Sequence, residues 1–102
     1  MCGIVGYVGS EQGAPILLDG LARLEYRGYD SSGLASVRQG KIETIRAEGK
    51  LKVLEEKLMN CEDYTLATTG LGHTRWATHG VPNETNAHPH TSNQRDFVMV
   101  HN

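Results

Sequence analysis

The sequence predicts an α+β fold of layered helices and antiparallel strands, and three observations carry that expectation. Leucines recur at helical spacing in two separate stretches. Two short strand-like segments, Leu34 to Val37 and Ile42 to Ile45, flank a Gln39-Gly40 turn, which predicts a hairpin. The resulting order of strand, helix, hairpin, helix, strand, long loop, strand lacks the regular strand–helix alternation of a doubly wound parallel sheet.

Each element follows from its residues. Gly3 to Val8 is short, apolar and rich in β-branched side chains, which predicts a buried strand. Pro15 stands where a first helical turn begins, and Leu17, Leu21 and Leu24 then share one face. Arg23 and Arg27 lie toward that helix's end, with Gly28 as its expected C-cap. Leu34 to Val37 and Ile42 to Ile45 form the predicted hairpin. Leu51, Leu54 and Leu58 mark a second amphipathic helix, with Glu55, Glu56 and Lys57 outward. Thr68 to Trp76 reads as a strand, Ala77 to Arg95 as a long aperiodic loop, and Phe97 to Val100 as a last strand. That strand stops two residues before the end of the sequence, so the expected sheet is incomplete and the chain reads as a piece of something longer.

Composition narrows the function classes. A chain of 102 residues has room for one ordinary core, and 47 of them are apolar when glycine is counted and tyrosine left out, which is in the globular range. Ten basic against twelve acidic residues give a net charge of −2. That balance argues against nucleic-acid binding by phosphate neutralisation and against polybasic attraction to anionic lipid. No apolar run approaches the roughly 20 residues of a membrane helix. The opening residues have neither the basic nor the long apolar region of a secretory leader, so the expectation is a cytoplasmic protein without nucleic-acid or membrane partners.

Three clusters carry possible chemistry. Removal of Met1 leaves Cys2 with its own α-amine, which titrates at about 7.7–8.0 and can take the thiol proton near neutral pH. Cys61 is a small half-buried residue by its context, and two cysteines make no disulfide framework. Gly72-His73-Thr74-Arg75-Trp76-Ala77-Thr78-His79-Gly80 joins a carboxylate-matching guanidinium to a hydroxyl and a large wall residue. Its plain alternative is a surface Arg–Trp stack. Asn86-Ala87-His88-Pro89-His90 adds to the five histidines, whose spacing follows no regular zinc pattern, so no metal is expected and hydrogen bonding within the loop is. Gly3, Gly6 and Gly9 imitate a phosphate loop but lack its strand and Lys-Ser/Thr context, so close strand packing is the better reading.

Read in order, the Cys2-Gly3-Ile4-Val5-Gly6 start, Leu24 to Gly33, His73 to Gly80, Asn86 to His90 and Val100-His101-Asn102 resemble the beginning of the glutamine–fructose-6-phosphate aminotransferases, or glucosamine-6-phosphate synthases. The start is shared by class II glutamine amidotransferases in general, whereas Glu25 to Asp30 and His73 to Gly80 are more specific to this family. The resemblance implies an N-terminal-nucleophile hydrolase fold, two antiparallel sheets between helical layers (α/β/β/α), here only partly present. Residues 2–102 would be the incomplete front of the glutaminase domain, with the sugar-isomerising synthase domain absent. Cys2 would attack the glutamine side-chain amide and Asn102 would donate to the oxyanion. Arg75, Thr78 and His79 would hold the α-carboxylate, Trp76 would gate ammonia passage, and His88 would line the pocket. Arg27 and Asp30 would brace the N-terminus. The partners implied are glutamine, fructose-6-phosphate through the missing domain, and further copies of the complete chain, without a cofactor. Two alternatives stand beside this: an amidotransferase with another ammonia acceptor, or an inactive fragment that acts through association.

Overall fold

The computed structural model describes residues 2–27, 30–61, 67–76, 81 and 83–101, with the side chain of Arg27 left aside. Strand β1 spans Gly3–Val8, helix α1 Gly13–Leu24, β2 Ser31–Arg38, β3 Lys41–Glu48, α2 Leu51–Met59 and β4 Thr69–Arg75. A 3₁₀ turn over Glu25–Arg27 follows α1, and β5 (His90–Thr91) and β6 (Val98–Met99) form a separate ribbon. Among the described residues the main sheet has four strands in the order β1-β4-β2-β3, every pair antiparallel.

Strand alternation decides which residues meet the helices. Val5 and Tyr7 of β1, Leu34 of β2, and Ile45 and Ala47 of β3 point to the helical side, where they join Leu17, Leu21, Leu51, Leu54 and Leu58 in one core. Helix α1 lies over β1, β4 and β2, while α2 lies over β3 and β2. Leu17, Leu21, Leu34 and Leu54 are wholly buried, and each such burial contributes about 1.5–3 kcal/mol. The leucine spacing of both helices is thus the spacing of the face that packs.

Several boundaries differ from the sequence expectation. Helix α1 starts at Gly13, which puts Pro15 inside its first turn, and Gln12 caps it without a side-chain hydrogen bond. The hairpin strands are longer than expected because their ladder continues to Ser31↔Glu48. Between them Gln39 (φ 53°) and Gly40 (φ 75°) are both left-handed, the geometry that suits a two-residue hairpin turn. The expected closing strand is only Val98–Met99, and it pairs with His90–Thr91 from the segment read as a loop. The Ser92 hydroxyl accepts from the backbone N–H of Asp96 and Phe97, which closes the turn between those strands.

Candidate active site

Register brings the first cluster to the second. Gly3 of β1 lies opposite Thr74 of β4, and the residues next to that end pair are Cys2 and Arg75. On the other side of β4, Ser31 of β2 lies opposite Arg75, and the Asp30 N–H donates to the Arg75 carbonyl at 3.0 Å. The Asp30 carboxylate accepts from the Ser31 hydroxyl at 2.9 Å. Residues separated by more than 70 positions in sequence therefore converge at one end of the sheet, on the side away from the helices. Cys2 is half-buried, and neither it nor Cys61 is in a disulfide. Arg75 is only 8% exposed, with Nη1 3.4 Å from the Val81 carbonyl, whereas Trp76, just beyond the strand, is half exposed.

Two residues before Arg75, and therefore on the same face of β4, His73 is wholly buried. Its Nε2 lies 2.8 Å from the His101 carbonyl, which can only accept, so Nε2 carries a proton. Its ring stacks on that of His88, with centroids 4.2 Å apart and planes 21° from parallel. His90 continues the column at 4.4 Å from His88. The histidines are expected to order this region by hydrogen bonding, and His73 does bond the His101 carbonyl; ring contacts join His73, His88 and His90, and cationic side chains add hydrogen bonds of their own. Arg46 donates from Nη1 to the carbonyls of Ala87 (3.2 Å) and Thr85 (3.3 Å). Lys57 bridges Glu84 and the Arg46 carbonyl at 2.7 Å each.

Gly33 explains how the loop comes so close. A Cβ there would collide with the His88 carbonyl and stand 2.9 Å from Pro89 Cδ, so only glycine lets this segment rest on β2. The enclosure has an electrostatic consequence. Desolvation first, then the neighbouring His73, holds His88 well below the ordinary imidazole range, at about 4. Burial lowers His73 and His90 as well, with nearby Arg75 acting in the same direction on both. The column is therefore uncharged at neutral pH.

Of the site residues expected from sequence, Cys2, Arg75, Trp76 and His88 lie in the described structure. Thr78, His79 and Asn102 lie outside the described residues. His73, Gly33 and Arg46 were missed as parts of the site. The signal for His73 was its two-residue offset from Arg75 within one strand; nothing local marked Arg46, whose partners lie about 40 positions away. Among the described residues, no group of three or more His, Cys, Asp or Glu side chains is arranged to hold a metal ion.

The architecture is a helical layer over an antiparallel sheet, with a cysteine at the second position leading into an outer strand, and this is consistent with part of an N-terminal-nucleophile hydrolase. Comparison with known proteins specifies it further. All 102 residues align with glutamine–fructose-6-phosphate aminotransferases, at 58% identity for that of Synechocystis sp. and 59% for that of Mesorhizobium japonicum. The enzyme of Caldanaerobacter subterraneus subsp. tengcongensis is 56% identical, again over the whole chain. The chain spans 16% of the length of each of these three relatives, at their N-terminal end. No family model matches.

Proposed function

We propose that these residues form part of the glutamine-hydrolysing site of a glutamine–fructose-6-phosphate aminotransferase. The observation that carries this reading is the β1–β4 register, whose end pair Gly3↔Thr74 stands next in sequence to Cys2 and Arg75, in a chain more than half identical to enzymes of that name.

In this reading Met1 is removed and the α-amine of Cys2 takes the thiol proton. The sulfur attacks the side-chain carbonyl of glutamine, with the developing oxyanion held by the Asn102 amide. The amide nitrogen takes the proton held by the amine and leaves as ammonia. Water then attacks the γ-glutamyl thioester, its oxygen bonding to carbon as the C–S bond breaks, to release glutamate and restore the thiol. Arg75, with Thr78 and His79, holds the substrate α-carboxylate, for which a guanidinium offers paired donors. His88 lines the pocket, and Trp76 controls the path of ammonia toward the acceptor. Residues 2–102 are the front of the glutaminase domain. Its remainder and the synthase domain, which converts fructose-6-phosphate to glucosamine-6-phosphate with that ammonia, belong to the rest of the full-length enzyme. We further infer a cytoplasmic homo-oligomer that engages no nucleic acid. Among the described residues no helix is long and apolar enough to cross a membrane.

The test is glutamine hydrolysis by the full-length protein. Cys2→Ala is expected to abolish it, and Arg75→Lys to raise KM for glutamine by about tenfold or more through loss of paired recognition. A Cys2→Ala enzyme that hydrolyses glutamine at the native rate would overturn the reading.

A further inference from the structure

Beyond the residues named for substrate contact, one buried side chain joins three segments of this site. His73 lies on β4, two residues before Arg75. Its Nε2 meets the carbonyl of His101 at 2.8 Å, one residue before Asn102. Its ring stacks at 4.2 Å on His88. The ring is wholly enclosed, and among the described residues its Nδ1 has no hydrogen-bond partner, so its one polar link is the His101 carbonyl. The two contacts use different parts of the imidazole: the Nε2–H reaches the His101 carbonyl, and the flat face reaches His88.

We propose that His73 is a positioning residue of the glutaminase site, its Nε2–H fixing the backbone that carries Asn102 and its ring face fixing His88. The inference rests on the glutaminase reading above, since it assigns catalytic consequences to Asn102 and binding consequences to His88. It touches no reacting atom itself. The geometry separates its two tasks, because a substitution can remove the donor and keep a flat ring, or keep a donor and remove the ring.

The experiment measures kcat and KM for glutamine hydrolysis by full-length protein with His73→Phe and with His73→Gln. His73→Phe retains the stack but loses the donor, so kcat is expected to fall by about tenfold or more while KM holds. His73→Gln retains a donor but loses the ring, so KM is expected to rise by about fivefold or more while kcat holds. Loss of stability alone would not produce this crossed pattern. Native kinetics in both variants would overturn the inference, as would parallel losses in kcat and KM accompanied by a lower unfolding midpoint. Cys2→Ala, measured alongside, separates the two levels. If it is inactive and the crossed pattern is missing, only the role of His73 fails. If it hydrolyses glutamine normally, the glutaminase reading fails and the inference with it.

Discussion

His88 stands between two other imidazoles, under the segment it belongs to and above a glycine, and those neighbours set its behaviour. Because its folded pKa is about 4 against an ordinary 6.5, the unfolded chain binds protons more readily between those values. Stability is therefore fully present above about pH 6.5 and is lost progressively as the pH falls toward 4. Burial pushes His73 and His90 the same way, so they add to the trend. Urea unfolding at pH 7 and pH 5 should show a lower midpoint at pH 5, and His88→Phe should narrow the difference. An equal difference with and without His88 would remove it as a source. The contact at Gly33 leads to a second expectation: Gly33→Ala must displace the His88 carbonyl, at about 1–3 kcal/mol for overpacking, and glutamine hydrolysis by the full-length protein should fall with it. Retention of both stability and activity would show that the loop can move aside without cost.

The elements owe their visibility in the sequence to local causes. The α2 leucines are legible because a three-to-four residue period is the packing face itself, and Leu51, Leu54 and Leu58 are all buried. The hairpin is legible because Gln39-Gly40 supplies a turn, both residues left-handed, between two short segments with apolar ends. The start of α1 was less so: Pro15 suggested a first turn, but the helix begins two residues earlier with no side-chain cap to mark it. Strand β6 falls within the expected Phe97 to Val100 strand, but its partner β5 is not legible, because two residues carry no readable period and the turn between them depends on the Ser92 hydroxyl. In the site, Cys2 and Arg75 were legible as residue types, while their closeness came from a long-range ladder. Leu54, wholly buried beneath the sheet, gives the element-scale test. Leu54→Ala should cost about 2–5 kcal/mol in chemical unfolding, and a loss under about 1 kcal/mol, the level of a volume-conserving swap, would mean that α2 is not seated as described.

Across the whole molecule the sheet has two unlike faces. The helices cover one, while the other carries the histidine column at one end and an apolar groove of about 380 Å³ at the opposite end. Val8, Ala35, Val37, Ile42 and Leu71 line that groove together with Val98 of β6. Ile4 and Val37 are 43% exposed and Val8 83%, an unusual amount of apolar surface for a strand face. A polypeptide of these 102 residues alone should associate with rising concentration in sedimentation, and Val8→Lys with Val37→Lys should reduce that association. A monomeric, concentration-independent profile for the unsubstituted polypeptide would contradict this. The functional polarity runs the same way: strand register gathers Cys2, Arg75 and the histidine column at one end of the open face, away from the helical core.

That arrangement acquires its chemical meaning only if Cys2 becomes the first residue, with its α-amine unblocked beside the thiol. The most direct measurement is the N-terminal peptide mass of catalytically active full-length protein, before and after inactivation by an electrophilic glutamine analogue. The expected result is a chain beginning at Cys2 with an unmodified amine, carrying one equivalent of label on that residue in step with the loss of glutamine hydrolysis. Active enzyme that retains Met1, or inactivation with the label on another residue, would contradict the central claim.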